Sequence, residues 1–265
     1  MLLRTEKLSK HFGGLKAVDR IDFELEEGEV RGLIGPNGSG KSTFFNLVSG
    51  IYRPDEGSRV WIDERETTGF EPHRIADLGV ARTFQLLRVF SEMTVLQNLL
   101  VGHHKHVSYG TIASMLGTRG VRAEEKRVRE EMMELLAFIG LADFADMLAS
   151  ELSVGQRRLL ALGRAMAMRP RLLLLDEPAA GLSPVNVDNL LRIILGLKER
   201  YGLTVVIVEH ILRVVMDTCA KVTVLDHGQK IAEGSPDEVK NDHAVIEAYL
   251  GREMEDEEVR QALQA

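Results

Sequence analysis

The chain has 265 residues, 45% hydrophobic and 28% charged, with a formal net charge of −7; that supports one large domain, or one domain with a sizeable insertion, and gives no general electrostatic pull toward nucleic acid or anionic lipid. The single cysteine, Cys219, excludes an internal disulfide framework and fits a reducing compartment. No apolar run nears the ~18–20 residues that span a bilayer, and Met1 to Lys7 lacks a signal-peptide apolar region, so a cytosolic, soluble protein is expected, with any membrane role supplied by a partner.

The first segment reads as strands and tight turns. Leu2 to Leu8 and Ala17 to Leu25 are strand-like, separated by Gly13-Gly14, and Ile21, Phe23 and Leu25 alternate with Asp22 and Glu24 as in a half-exposed strand. Phe12, in the turn region between them, reads either as a packing aromatic or as a stacking surface for an adenine ring. Glu29 to Ile34 is short and apolar enough for a buried strand. Half-exposed antiparallel strands followed by a buried one suggest a small β-layer leaning on a parallel core.

The buried strand feeds Gly35-Pro36-Asn37-Gly38-Ser39-Gly40-Lys41-Ser42-Thr43, which fits the phosphate-loop pattern G-x-x-x-x-G-K-[ST]. Phe44 to Val48 follows as a helix closing at Ser49-Gly50, so the motif has its strand–loop–helix context. Glycines let backbone N–H groups turn toward a phosphate chain, and the helix N-terminus adds partial positive charge. Lys41 can reach the β- and γ-phosphates, and the Ser42 hydroxyl can hold Mg²⁺. A nucleotide with Mg²⁺ is the expected ligand.

Arg53 to Gly57 is a turn, Val60 to Ile62 a short strand and Arg74 to Gly79 a short helix leading into Val80–Gln85. From about Leu86 to Glu151 the pattern is helical, with no convincing strand. Thr94-x-x-Gln97 resembles a capping box. Tyr109 to Gly120 is glycine-punctuated, and Ala123 to Phe138 is a charged amphipathic helix with apolar Val128, Met132, Leu135 and Leu136, continuing to Ile139. His103, His104 and His106 beside Lys105 lack a nearby Cys, Asp or Glu, so a solvated loop is expected rather than a metal site. The run Glu124 to Arg127 is an exposed helix face.

The core pattern resumes at Leu152. Leu152-Ser153-Val154-Gly155-Gln156 opens a helix to about Met168; its Ser153 reads as a plain N-cap or as part of an outward-facing anion site. Leu172 to Leu175 is an all-apolar strand ending in Asp176-Glu177-Pro178. Asp176 stands where a Mg²⁺ ligand is expected, and Glu177 where a general base for a water attacking the γ-phosphate is expected. Val187 to Tyr201 is a helix with Gly202 as C-cap. Thr204 to Val208 is a second buried strand ending in Glu209-His210, with His210 on the ligand-binding edge of an open α/β sheet or simply a structural histidine. Gln85 ends its own segment, and pattern alone does not rank it above an exposed amide. A further helix, late strands at Val222–Leu225 and Lys230–Glu233, and a helix with Ser235 as N-cap and Pro236 at N1 running to Leu250 complete the pattern. The tail from Arg252 is acidic. Buried strands alternating with helices give an α/β class with a mostly parallel sheet.

Taken together, the chain resembles an ATP-binding cassette (ABC) ATPase over about Leu2 to Gly251. Gly35 to Thr43 resembles the Walker A loop, Leu172 to Glu177 the Walker B strand with its glutamate, and Leu152 to Gln156 the signature. Gln85 resembles the Q-loop glutamine, His210 the switch histidine and Phe12 the adenine-stacking aromatic. The resemblance implies one cassette domain, residues 1–251, with a nucleotide-binding core (1–87 and 152–251) and an inserted helical subdomain (88–151), followed by a tail, 252–265. It implies two cassettes closed head to tail around two ATPs. Each site would join Lys41, Ser42, Gln85, Asp176, Glu177 and His210 to the partner's signature residues, at the positions of Ser153, Gly155 and Gln156 here; Ser42, Gln85 and Asp176 would serve the metal.

Two positions depart from the family pattern. Val154 replaces the first glycine of the usual signature pair, and Ser183 stands where many cassettes carry Asp. With Arg82-Thr83-Phe84-Gln85 and Asp176 to Pro184, these look most like the cassette subunits of branched-chain amino acid importers, with urea-importer cassettes close by. The implied role is an energy-coupling ATPase at the cytoplasmic face of the inner membrane, with a second cassette (the same or different), permease subunits and, indirectly, a solute-binding protein. The alternatives are a cassette for urea or another solute, importing or exporting, and a soluble ABC ATPase acting on nucleic acid or ribosomes. One cassette, no heptad run and the acidic balance weigh against the last. A phosphate-loop kinase or GTPase would leave the pentapeptide unused, and no guanine-reading Asn-Lys-x-Asp occurs.

Overall fold

The structure, a computed structural model, describes residues 1–83, 89–107 and 118–250. It divides into two compact units: Met1–Arg82 together with the chain from Arg171, and Thr83–Pro170. Gln85, most of the glycine-punctuated stretch from Tyr109 and the tail lie outside the described residues.

In the first unit, β1 (Leu3–Phe12) and β2 (Leu15–Leu25) form an antiparallel hairpin, with Phe12 opposite Leu15. Gly13 makes that tight reversal at φ 58°, a conformation costly for any residue with a Cβ. β4 (Arg59–Ile62) pairs with β1 and β5 (Arg65–Glu66) with β4, giving the order β2-β1-β4-β5. The second sheet has the order β10-β9-β3-β8-β7-β6 among the described residues. Its members are β3 (Val30–Ile34), β6 (Val80–Thr83), β7 (Leu172–Asp176), β8 (Thr204–Val208), β9 (Lys221–Asp226) and β10 (Gln229–Gly234). β3 runs parallel to β8 and β9, and β7 parallel to β8, whereas β10 returns antiparallel.

The apolar faces of both sheets close on helix α1 (Lys41–Val48). Leu3, Leu8, Ile21 and Phe23 share one buried cluster with Phe44 and Phe45 of α1 and with Leu33, Leu172, Leu174, Val206 and Val208. Phe23 and Phe44 meet edge to face at 5.1 Å. Each fully buried aromatic contributes about 1.5–3 kcal/mol through removed apolar surface, so the helix that carries the phosphate loop is anchored by its own core face. β3 is not uniformly apolar. Arg31 is buried, and its guanidinium donates to Glu29 at 2.5 Å, Thr223 Oγ1 at 3.1 Å and the Glu24 carbonyl at 3.0 Å. Those partners are what make a buried charge tolerable.

The remaining helices of this unit are α2 (Pro72–Asp77), α6 (Pro184–Tyr201), α7 (Leu212–Thr218), α8 (Pro236–Lys240) and α9 (His243–Leu250). Gly202 caps α6 in the left-handed region, and Ser235 opens α8 with a full capping box, both as the pattern requires. The helix expected to run unbroken from Ser235 to Leu250 is instead two. Asn241 ends α8, and the Asp242 carboxylate accepts the Ala244 and Val245 N–H groups, starting α9 afresh. Asn and Asp compete for local backbone partners in this way.

The second unit is built on α3 (Val95–His103), α4 (Arg119–Phe138) and α5 (Val154–Ala167). Thr94 and Gln97 form the expected reciprocal cap. Val128, Met132, Leu135, Leu136 and Ile139 are all buried. This unit is wider than the 88–151 block drawn from sequence, because α5 packs inside it. Gly102 lies against the Arg164 carbonyl and Gly163 against Leu99 and Ile139, so two bare backbones let the helices approach closely. The histidine cluster also departs from expectation. His103 is buried at the end of α3, its ring 5.5 Å from that of His106, whose Nε2 meets the Met168 carbonyl at 2.8 Å. A helix face rather than a solvated loop holds His103, whereas His104 is exposed; among the described residues no group of three or more His, Cys, Asp or Glu side chains is placed to hold a metal ion.

Candidate nucleotide site

The phosphate loop joins β3 to α1, and its shape depends on glycine. Gly35 has φ 148° and Gly40 φ 107°. A Cβ at Gly35 would collide with the Leu225 carbonyl, and one at Gly40 with that of Ala17. Gly40 also serves as the α1 N-cap without any side-chain cap, and the first turn carries no acid. The N–H groups opening α1 therefore present an uncapped, positively polarised end, the ordinary setting for phosphate. Lys41 is buried, and its ammonium donates to the carbonyls of Gly35 at 2.6 Å and Pro36 at 2.9 Å, with Ser39 Oγ at 3.4 Å. Ser42 is exposed on the first turn.

Strand register brings the remaining groups together. Asp176 pairs with Val208 across parallel β7 and β8, so the chain leaves both strands side by side. Glu177 takes φ 48° and donates its N–H to the Val208 carbonyl at 2.9 Å. That left-handed turn points its carboxyl at the neighbouring loop, where Oε1 lies 2.6 Å from His210 Nε2. The ring nitrogen carries the proton of this bond whenever the carboxyl is ionised. Glu177 and His210 thus form one unit.

Asp176 is buried at the end of β7. Its Oδ2 accepts from Arg82 Nη2 at 2.7 Å, while Oδ1 meets no hydrogen-bond donor among the described residues. Arg82, on β6, also donates through Nη1 to Asn46 Oδ1 at 2.7 Å and Ser49 Oγ at 3.2 Å on α1. Sequence reasoning gave Arg82 no role of its own. The available signal was an arginine directly after the apolar Val80-Ala81 of a core strand, where a charge needs a buried partner.

Phe12 is 44% exposed at the tip of the β1–β2 hairpin, touching Tyr52 edge-on at 5.4 Å; it is not packed beneath the hairpin. In the second unit, Ser153 Oγ accepts the Gln156 N–H at 3.3 Å, and Gln156 Oε1 accepts the Ser153 N–H at 2.9 Å. The pentapeptide is therefore a true capping box. Ser153 itself is exposed, and Val154 is exposed beside it.

A glycine loop before an uncapped helix, a buried lysine in that loop, and a strand-end Asp-Glu pair define a phosphate-loop nucleotide hydrolase on a mostly parallel sheet. The comparisons narrow this. Residues 18–180 match the family model described as ABC transporter, and residues 229–255 match one described as branched-chain amino acid ATP-binding cassette transporter. The chain is 40% identical over 250 residues to the high-affinity branched-chain amino acid transport ATP-binding protein BraF of Pseudomonas aeruginosa, covering 94% of this chain and 98% of that protein. It is 38% identical over 250 residues to LivG of Escherichia coli, with the same coverage. Among solved structures, the ADP conformation of MJ1267, an ATP-binding cassette of an ABC transporter, superposes with a TM-score of 0.81. The identity there is 36%, across 95% of this chain and 99% of that one. This chain belongs to the ABC transporter family, as an ATP-binding, ATP-hydrolysing cassette.

Proposed function

We propose that this cassette couples ATP hydrolysis to the import of branched-chain or other hydrophobic amino acids. Its place would be the cytoplasmic face of the cell membrane, beside a second cassette and permease subunits. The names of the relatives, together with the match of residues 229–255, support that substrate class. Among the described residues no helix is long and apolar enough to cross a membrane, which fits a subunit that reaches the solute path only through partners.

The chemistry rests on one observation, the Glu177–His210 pair held beside Asp176. The loop N–H groups and Lys41 hold the phosphates, with Ser39 within reach of the Lys41 ammonium. The exposed Phe12 ring offers a face for adenine, and Gly35 to Thr43 supply the cradle. Glu177 Oε1 accepts the proton as water adds to the γ-phosphorus, and ADP leaves as the bond to its β-phosphate oxygen breaks. His210 holds Glu177 in line. The residues present also fit Mg²⁺. The buried Asp176 Oδ1 has no donor among the described residues and suits a cation, directly or through water, and the Ser42 hydroxyl stands on the first turn of α1. When bound, that ion neutralises charge across the β- and γ-phosphates. Gln85 is assigned to the same metal by resemblance alone and lies outside the described residues.

The helix start at Ser153, Val154 and Gly155, with Ser153 and Val154 exposed, completes the site of a second cassette in this reading. Ser153→Arg should abolish hydrolysis while the isolated subunit still binds ATP. Persisting hydrolysis would show that one chain suffices. Radiolabelled leucine uptake should fall when the cassette is deleted from its host; unchanged leucine uptake with lost urea uptake would reassign the solute.

A further inference from the structure

Glu209 has no part in the chemistry above, yet it is a carboxyl group only 2% exposed, immediately after β8. Its Oε1 accepts the Ala179 N–H at 2.6 Å, and its Oε2 accepts the His210 N–H at 3.2 Å. Ala179 lies two residues beyond Glu177 in a turn closed by the bonds Ala180 N–H to Glu177 O and Leu182 N–H to Ala179 O. Ala179 itself is fully buried, in an apolar cluster with Val187, Leu191 and Val214. One side chain therefore ties the segment after β7 to the segment after β8. Burial pushes the Glu209 carboxyl up, with the nearby Glu177 adding to that, while the N–H groups of Ala179, His210 and Ile211 pull it down. An apolar side chain would fill this space without that desolvation cost.

We propose that Glu209 is a positioning residue for ATP hydrolysis, setting the spacing of Glu177 and His210 by gripping the backbone of both loops with one carboxyl group. The inference rests on the reading that this pair serves hydrolysis. A neutral glutamine retains one acceptor oxygen but turns an NH₂ group toward the other N–H, so it can hold only one loop.

The test is steady-state hydrolysis and nucleotide affinity of the full chain as Glu209→Gln, Glu209→Ala, His210→Ala and the double variant. Misplacing a reacting pair by about 1 Å costs on the order of 100-fold, so kcat should fall about 10–100-fold in both Glu209 variants while nucleotide affinity stays within about twofold. In the His210→Ala background the Glu209→Ala change should cost less than about threefold more, because residues acting as a unit are not additive. Near-normal kcat in folded Glu209→Gln overturns the proposal, as do multiplicative losses in the double variant or a loss confined to nucleotide affinity. Glu209→Gln keeps the test open should the alanine variant fail to fold. Normal turnover in His210→Ala would instead sink the reading of the pair itself.

Discussion

Replacing Arg82 by alanine probes the buried charge pair at the end of β7. Nη2 lies 2.7 Å from Asp176 Oδ2, and both side chains are less than a tenth exposed. With charge centres about 4 Å apart and an effective dielectric of about 20, their attraction is about 4 kcal/mol. Removing one partner leaves the other charge buried without compensation, at a cost of about 3–5 kcal/mol. The bonds to Asn46 and Ser49 go with it. In urea titrations without divalent cation, Arg82→Ala should lose about 3–5 kcal/mol of unfolding free energy. Saturating Mg²⁺ with nucleotide should recover at least about 1 kcal/mol of that deficit, because the cation proposed beside Asp176 would replace the missing guanidinium. By linkage, the variant should also favour the metal-bound nucleotide over the metal-free one more strongly than the wild type does. A loss under about 1 kcal/mol, the scale of exposed pairs, would refute the argument. So would a deficit that Mg²⁺-nucleotide leaves untouched.

Glu177→Gln should preserve ATP affinity and slow hydrolysis by about 10²–10⁴; near-normal single-turnover rates would remove Glu177 as the base. Gly102→Ala places a methyl group against the Arg164 carbonyl and should destabilise the helical unit by about 1–3 kcal/mol, read as a lower midpoint in thermal unfolding followed on that unit; an unchanged midpoint would mean that α3 and α5 have room to separate. Burial holds the His103 imidazole below its ordinary value of 6.5, partly against the Glu131 carboxylate and with Arg169 and His106 nearby. The unfolded chain therefore takes up this proton first as pH falls through 6.5, and stability drops below that point. Urea midpoints at pH 7.5 and 5.5 should diverge more for the wild type than for His103→Gln, and equal pH dependence would exclude His103 as the cause.

Much of the architecture follows from local pattern. Alternation at Ile21, Phe23 and Leu25, the apolar runs at Leu172 and Thr204, Gly202 after α6 and the caps at Thr94 and Ser235 are each decided by neighbours within a few residues. The break between α8 and α9 was equally local, in Asn241-Asp242, yet the helical periodicity on either side obscured it.

The phosphate loop is the feature that the sequence by itself determines. Its glycines are needed for backbone reasons, and the flanking strand and helix are encoded beside it. Tertiary structure decides what lies around that loop. Only the parallel pairing of β7 with β8 brings Glu177 to His210, 33 residues apart, because Asp176 and Val208 share a register. Only the adjacency of β6 and β7 gives Asp176 its arginine, 94 residues away. The same holds for Glu209, whose acceptor oxygens reach the loop after β7 and the segment that follows its own strand, and for His103, whose burial depends on which face α3 turns inward. A pattern names residue types and short-range spacing. Which of them touch is fixed by strand order and register, and those are settled by how the whole core packs.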